Sequence, residues 1–261
     1  MGSLRRHLAI LRQYTRMGLI RRSQFRLEFV NQVVMDCCFY GSQLLTFGVL
    51  FGLEDGVEIA GWRGPAVAVY LGMVFVHDGF SMSWLGQSWF FGEDLKKGNL
   101  DPVRVRPGHP VLLYFFQRFS PEGCTNLLIA SAILITACVA ADANLLLLPW
   151  AVALACFGQT IFIVLISLAE FRFLHSDFMR FLDQSLGILS ERPLDVYPAY
   201  LRRFLVFVVP AGAMSYIPAS IVLGRVSVLG GLAYSAFYLA FGLVVLRAWR
   251  RGFRRYESAM G

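Results

Sequence analysis

Ionisable side chains inside long apolar runs are the residues of this chain best placed to do chemistry. His77 and Asp78 lie near the middle of the run 65–85, and Asp36 lies close to the start of the run 31–51. Placing a charged group at the centre of a membrane helix costs about 2.5–3.5 kcal/mol, so such a group needs either a function or a partner. We expect Asp78 either to attract a cation or to be held by a neighbour such as His77 or Ser81.

The arrangements that metal-dependent or nucleophilic catalysis needs do not occur in this sequence. The five cysteines lack the spacing of metal ligands, and the histidines are scattered over distant segments, at His7, His77, His109 and His175. The phosphate-binding motif G-x-x-x-x-G-K-[ST] is absent, and the two lysines are the adjacent Lys96 and Lys97. We therefore predict no catalytic residues, no metal site and no cofactor on this chain.

Six apolar runs determine how the remaining side chains are positioned. Hydrophobic residues make up 57% of the chain and charged residues 16%, against roughly 25% charged in an ordinary soluble domain. Each run has about the 20 residues that a helix needs to cross a bilayer, and the ten-residue alternation of a membrane barrel is missing. The sequence predicts an all-α integral membrane domain over 31–247, with spans near 31–51, 65–85, 124–142, 148–170, 201–223 and 227–247.

The basic residues indicate how these spans are oriented. Of the 24 Lys and Arg residues, 22 fall in four segments that share one side of the predicted topology, namely 1–30, 86–123, 171–203 and 247–261. Because basic loops stay in the cytoplasm, both termini, including the basic tail 248–261, are predicted to be cytoplasmic. Basic blocks between apolar runs also argue against nucleic acid as the reason for the net charge of +7.

Two segments outside the spans have the pattern of amphipathic helices. In 1–30, apolar residues recur at helical spacing beside a basic face, with Leu4, Leu8, Leu11 and Tyr14 on one side and Arg5, Arg12 and Arg16 on the other. This predicts a helix on the inner membrane face, and the alternative is a solvated basic tail. In 171–196, an apolar stripe predicts a helix that lies along the inner surface or packs beneath the bundle.

The fifth run contains two prolines, Pro210 and Pro218, and is expected to be kinked or broken. Gly212 and Tyr216 lie between them. A broken membrane helix is tolerated where its free backbone groups line a cavity or protein. These residues therefore either line a pathway or only shape the packing.

Four stretches of the chain resemble the motifs of one transporter family. The loop Gly92 to Pro107 followed by Gly-His-Pro110 resembles its "G-x-L-D-x-x-L-x-R-P-x-x-P" signature. Three further matches follow in order: Tyr197-Pro-x-x-Leu-Arg202; Phe207-Val-Val-Pro210 with Tyr216-Ile-Pro-Ala219 and Leu223-Gly-Arg225; and Trp249-Arg-Arg-Gly-Phe-Arg-Arg-Tyr256. The family is that of the ABC type-2 permeases found beside uncharacterised transport ATPases. Ser215, where the family has Asn, and Val103-Arg104-Val105, in place of a more apolar run, depart from its pattern.

The resemblance implies a division of labour between chains. This chain would be the six-span permease of an exporter in a prokaryotic plasma (inner) membrane, surrounded by lipid and paired with a second, identical or paralogous, permease chain. ATP would bind to a separate ATP-binding-cassette ATPase. The stretch after Pro218 would be a re-entrant outer piece that closes the exit.

Two sets of residues are predicted to carry the mechanism. The loop 92–110, stiffened by prolines, is predicted to contact the ATPase through Glu93, Asp94, Lys96, Lys97, Asp101, Arg104, Arg106 and Pro107, although it could also be an ordinary loop. The translocation pathway is predicted to include His77, Asp78, Pro210, Tyr216 and Pro218. The alternatives are a proton-coupled secondary transporter that uses Asp78 and His77, a membrane-embedded enzyme and a membrane scaffold without transport. No substrate can be inferred from the sequence.

Overall fold

The computed structural model describes residues 2–22, 26–52, 58, 60–173 and 178–256, and in these residues it contains helices, turns and short loops but no strand. Twelve α-helices lie in this part of the chain: α1 Gly2–Arg22, α2 Arg26–Gly52, α3 Gly64–Trp84, α4 Phe91–Lys96, α5 Asp101–Val105, α6 Pro110–Phe115, α7 Pro121–Ala140, α8 Leu148–Phe173, α9 Phe178–Ser190, α10 Ala199–Phe207, α11 Ile217–Val222 and α12 Val228–Arg255. A π-helical turn, Gly212–Tyr216, precedes α11.

The centre of the bundle is a close antiparallel contact between α3 and α7. Three glycines allow it. A Cβ atom on Gly72 would lie 2.9 Å from the Cα of Leu134, one on Gly79 would lie 2.9 Å from the backbone of Leu127, and one on Gly123 would lie 2.3 Å from the backbone N of Ser83. Small residues let membrane helices approach until their backbones touch, which increases the dispersion contacts that hold such helices together.

Helix α8 packs against α3, and α12 runs parallel to α8 on its far side. The Trp150 indole donates to the Ser235 hydroxyl (3.2 Å) at one end of this pair, and the Trp249 indole donates to the Ser167 hydroxyl (3.0 Å) at the other. These two ends define the bundle. We call the end that carries the 85–120 loop the loop end, and the opposite end, where Trp62 and Arg225 lie, the turn end.

Among the described residues, four helices are long and apolar enough to cross a membrane: Gly64–Trp84, Pro121–Ala140, Leu145–Phe171 and Val228–Arg255. The pair α10 and α11 qualifies as a fifth only if it is counted as one span. Predicted span 31–51 falls within α2, which has the length but is made more polar by Asn31, Gln32 and Asp36. An all-helical membrane protein is therefore confirmed, and the count of six spans stays a prediction.

Helix α1 packs against the loop end. A Cβ on Gly18 would lie 2.6 Å from the Phe119 carbonyl, and the Arg106 guanidinium donates to the Tyr14 hydroxyl (3.2 Å). Arg12 and Arg16 are exposed, and Ile10 packs against the core. The side chains of Leu4, Arg5 and Leu8 lie outside the described residues. A helix at this position is present, and its place on a membrane surface stays a prediction.

The expectation that 171–196 lies along or beneath the inner surface is wrong for its second half. Helix α9 packs against α8 and α4, but the Ser190 carbonyl lies 2.5 Å from the Tyr70 hydroxyl and Asp195 accepts a hydrogen bond from the Trp62 indole. Tyr70 and Trp62 belong to the turn-end half of the bundle. An amphipathic stripe does not distinguish a helix on a membrane surface from one whose polar face lines a polar cavity, which explains the error.

The predicted fifth span 201–223 is not a through-going helix. The chain breaks at Val208–Ala211, around Pro210, and α10 and the Gly212–Val222 segment are bent by 82°. Helix α10 begins near Asp195 at the turn end and runs towards the middle of the bundle. There the Val206 carbonyl accepts a hydrogen bond from the hydroxyl of Tyr238, near the middle of α12 (2.9 Å). Helix α11 then returns to the turn end. The predicted break is confirmed at Pro210, whereas Pro218 lies in the first turn of α11, where a missing N–H is harmless.

The first part of the tail predicted at 248–261 continues α12, which ends at Arg255, and 257–261 lie outside the described residues. Trp249 is fully buried, and Phe253 and Tyr256 are nearly so. The Tyr256 hydroxyl donates to the Leu95 carbonyl (3.2 Å), so the end of α12 is attached to the loop.

The α3–α7 contact gives a first testable prediction. Gly123→Ala places a methyl group against the Ser83 backbone, and we expect the forced separation of the two helices to destabilise the fold by about 1–3 kcal/mol. Gly41→Ala in α2 is the matched control, because nothing lies within 4 Å of its Cβ position. Thermal unfolding in detergent should show a lower melting temperature for Gly123→Ala alone. Equal melting temperatures would show that the α3–α7 contact is not tight.

Candidate functional site

A half-open cavity of about 670 Å³ lies between α2, α3, α8 and α9. His77 and Asp78 of α3 line it, together with Asp36 of α2 and Glu191 directly after α9. The predicted pair His77 and Asp78 is therefore brought into a cavity, and two further carboxylates join it. We call this space the acidic cavity.

Several buried side chains around the acidic cavity present polar atoms that no protein group satisfies. One oxygen of the Asp36 carboxylate accepts from the Gln32 amide (2.9 Å), while the other has no partner. The side-chain carbonyls of Asn126 and Gln159 are likewise unpaired, and these three residues are at most 8% exposed. Buried polar groups in proteins are nearly always hydrogen-bonded, so the cavity is arranged to receive hydrogen-bond donors.

His77 and Asp78 are neighbours without a hydrogen bond. The His77 Nδ1 lies 3.3 Å from the Asp78 Oδ1, but the geometry leaves both ring nitrogens of His77 unpaired. His77 is 2% exposed, while the Asp78 side chain is 49% exposed. The carboxylate therefore faces the open part of the cavity, and the imidazole lies in its wall.

A second polar group closes the turn end, and we call it the turn-end cluster. Asp195 accepts from the Trp62 indole (2.9 Å), the Arg202 guanidinium (2.5 Å) and the Tyr216 hydroxyl (3.0 Å). The Arg225 guanidinium lies 4.0 Å above the centre of the Trp62 ring and donates to the Gly61 carbonyl. Gly224 precedes it with φ +69°, a conformation that favours glycine.

The predicted pathway residues are thus separated by the structure. His77 and Asp78 line the acidic cavity, whereas Tyr216 belongs to the turn-end cluster. Pro210 is buried at the chain break, and Pro218 is buried in α11. Ser215, where the family pattern has Asn, donates to the Tyr70 hydroxyl (3.1 Å) or to the Ser190 carbonyl (3.0 Å) and so joins the π-turn to the end of α9.

The loop 92–110 is built around Asp94. Its carboxylate accepts from Gln87 (2.7 Å), Asn99 (2.9 Å) and the Tyr114 hydroxyl (2.7 Å). Burial and the bond to Asp94 raise the pKa of Tyr114, which keeps this hydroxyl a donor at all ordinary pH values. Asp94 therefore holds the loop together internally, and its predicted contact with an ATPase stays a prediction.

An aromatic cluster attaches this loop to the long helices. The Phe91 ring lies 5.3 Å from that of Phe171 in α8 and 6.1 Å from that of Trp249 in α12, and Phe115 stacks beside it at 5.7 Å. Rings in such edge and offset arrangements contribute about 0.5–1.5 kcal/mol per pair beyond burial. Because of these ring contacts, a movement of the loop would also displace α8 and α12.

The exposed part of the loop is basic and apolar. Arg104, Val105, Arg106 and Pro107 are exposed, and Val105 is 83% exposed. A groove of about 260 Å³ runs from Arg104 and Arg106 to Arg250 and Arg254 of α12. Among the other predicted contact residues, Glu93 pairs with Lys97 one helical turn away, Lys96 is exposed, and Asp101 starts α5. The arrangement suits a partner with acidic and apolar groups.

Sequence reasoning missed most of what surrounds Asp78. From the sequence, Asp36 is notable only as a charged residue near the start of the run 31–51, and Asn126, Gln159, Glu191 and Asp195 are not among the candidates. The available signal was a polar side chain inside an apolar run, which applies to Asn126 and Gln159. Glu191 and Asp195 carried no such signal, because they lie in a stretch that had been placed outside the membrane.

The turn-end cluster generates a second prediction. Asp195→Asn removes the charge that three donors share, and we expect it to destabilise the fold by about 1–3 kcal/mol. The control is Asp142→Asn, since Asp142 is exposed and its φ of 49° is one that asparagine tolerates. Thermal unfolding of the two variants in detergent tests this. An unchanged melting temperature for Asp195→Asn would mean that the cluster does not stabilise the fold.

Comparison with known proteins identifies the family of this chain. A comparison with curated proteins gave no match, and neither did a comparison with solved structures. The model of one protein family, described as "ABC-2 family transporter protein", matches residues 38–260, which include the loop, the turn-end cluster and the residues of the acidic cavity other than Met35 and Asp36. Members of this family are the membrane components of ABC-type transporters and generally work with an ABC ATPase. The chain is a multi-pass membrane protein that belongs to the ABC-2 family of transporter proteins.

Proposed function

We propose that this chain is the permease subunit of an ATP-driven exporter whose ATP-binding-cassette ATPase is a separate chain. The observation that carries the proposal is the construction of the loop, which combines an exposed basic tip with a buried aromatic base. The tip, Arg104 to Pro107, is available to a partner, and the base contacts Phe171 and Trp249 of the two longest apolar helices. A loop built in this way can transmit the closure of an ATPase to the membrane domain.

The C-terminal motif supports this role, because its residues stiffen the same connection. A Cβ on Gly252 would lie 3.0 Å from the Phe171 ring, so glycine lets α12 and α8 meet below the loop. Tyr256 is joined to the loop twice, by its hydroxyl to Leu95 and by its carbonyl, which accepts from Arg104 (3.3 Å). Of the predicted contact residues, Arg104 and Arg106 then remain the best candidates for binding the ATPase.

We propose that the chain crosses the membrane six times and that the fifth crossing is not the predicted span 201–223. The crossings are α2, α3, α7, α8, the stretch from α9 to Asp195, and α12, while α10 and α11 form a re-entrant pair at the turn end. The 13 residues of α9 span about 20 Å. The bend at 191–193 and the short 3-10 turn Leu194–Val196 that follow then carry the chain to Asp195, which contacts Trp62 at the turn end. Both termini then lie at the basic loop end, on the cytoplasmic side of a plasma (inner) membrane.

In this proposal the acidic cavity is part of the translocation pathway and the turn-end cluster is its outer closure. The cavity lies between the loop end and the cluster, and its hydrogen-bonding atoms are unpaired as a binding site requires. A second permease chain, identical or paralogous, and lipid complete the surroundings. The apolar exposed face of α2, with Val30, Val34 and Leu45, is suited to either.

Affinity purification of the tagged chain from its native membrane in mild detergent tests the partnership. We expect a P-loop ATPase to co-purify in near-stoichiometric amount. The Arg104→Glu/Arg106→Glu variant should insert normally but retain much less ATPase and lose export, because like charges replace the attraction to an acidic partner.

The control for this variant is Arg203→Glu, a charge reversal at an exposed position of α10 away from the loop. It should retain the ATPase. Normal export by the Arg104/Arg106 double variant would refute the proposed contact. If no ATPase co-purifies even after cross-linking in the membrane, the exporter proposal fails and a proton-coupled carrier that uses Asp78 and His77 becomes the better interpretation.

A further inference from the structure

We propose that the acidic cavity binds an organic cation, namely a protonated amine that carries at least one N–H group and an apolar or aromatic body. This inference rests on the proposed function in taking the bound molecule to be the transported substrate. The binding itself requires only the cavity, so the two can be tested separately.

The charge of the lining selects for a cation. Three carboxylates line the cavity, from Asp36, Asp78 and Glu191, whereas no lysine or arginine is among the described residues of its wall. His77 is the one basic side chain there, and Arg192, which follows Glu191, does not line it. An anion placed here would meet like charges at low dielectric, which is strongly unfavourable.

The unpaired atoms select for a donor. The unpaired oxygens on Asp36, Asn126 and Gln159 are acceptors, and they outnumber the ring nitrogens of His77, the other unpaired group in the wall; all of these residues are buried. A buried acceptor without a partner costs about 1–3 kcal/mol, and a ligand that donates to it recovers that energy. An ammonium group with N–H bonds does this, whereas a quaternary ammonium group does not.

A metal ion is a poorer occupant than an amine. Within the described part of the chain, no three side chains of His, Cys, Asp or Glu converge closely enough to hold a metal. Carboxylates that are spread around a wide cavity instead suit a diffuse or mobile cation.

The rest of the wall is apolar and adaptable. Phe39, Tyr40, Trp89 and Phe162 present aromatic rings, which attract cations over their faces. Met35, Met82 and Met214 are flexible and polarizable and can pack against bodies of different shape. The volume of about 670 Å³ lies within the roughly 300–1,000 Å³ of pockets that bind drug-sized molecules.

Binding can be measured on the full-length chain in lipid nanodiscs without any ATPase. The probe is rhodamine 6G, a fluorescent cation with secondary amine groups, followed by fluorescence anisotropy. We expect saturable binding that weakens by roughly tenfold or more in Asp78→Asn, because a charged acceptor is lost. Asp78→Glu should retain most of the binding. Asp142→Asn, far from the cavity, should leave it unchanged.

A competition experiment on the unmodified chain does not depend on whether the variants fold. 4-Phenylbutylamine should displace the probe, while its neutral N-acetyl derivative, with the same apolar body, should not. Equal displacement by the two compounds, or equal affinity of well-folded Asp78→Asn and wild type, would overturn the inference. If the chain binds the cation but no ATPase co-purifies, this inference stands and the proposed function is refuted. If an ATPase co-purifies but the chain does not bind the cation, the proposed function stands and this inference is refuted.

Discussion

The hydrocarbon core of a membrane offers no hydrogen-bond partner to a polar group, and this constraint organises the whole bundle. Polar side chains in the helices are gathered where protein can surround them. Asp195 and its three donors form one such group, and the hydroxyls of Tyr70 and Ser215 with the Ser190 carbonyl form another. The acidic cavity is the exception. Oxygens of Asp36, Asn126 and Gln159 beside it are buried and unpaired, in contrast to the satisfied groups of the other two clusters.

Helices whose only requirement is apolar length could be predicted from the sequence. The predicted spans 65–85, 124–142 and 148–170 agree within a few residues with α3, α7 and α8. A helix that crosses a bilayer requires only about 20 consecutive, mostly apolar residues, so an apolar run in the sequence is sufficient to predict it. The break at Pro210 was predictable for a similar local reason, since proline cannot donate the hydrogen bond that a continuous helix requires.

The path of the chain from α9 to α11 could not be predicted in this way. Ser190 and Asp195 contact protein groups while Gln184 and Glu191 line the acidic cavity, and hydropathy does not distinguish these surroundings from bulk water. The revised path of 184–211 changes how many basic residues lie towards each end of the bundle, but most of them still lie towards the loop end. Arg192, Arg202 and Arg203 move to the turn-end half, so 19 of the 24 basic residues rather than 22 lie towards the loop end. Arg202 is moreover neutralised by Asp195. The candidate site was predicted only through Asp78 and His77, because the remaining members become neighbours through tertiary packing alone.

The two ends of the bundle are held by different kinds of interaction. Ion-pair and hydrogen-bond partners dominate the turn-end cluster, whereas stacked rings dominate the contact between the loop and the long helices. Opening the turn end would expose Trp62 and Tyr70, and detaching the loop would expose Phe91, Phe115 and Trp249, all of which are fully buried. Since hydration of apolar surface raises the heat capacity, the enthalpy of both motions depends on temperature. The apolar part of both attachments therefore weakens on cooling, whereas the ion pair and hydrogen bonds of Asp195 remain at the turn end.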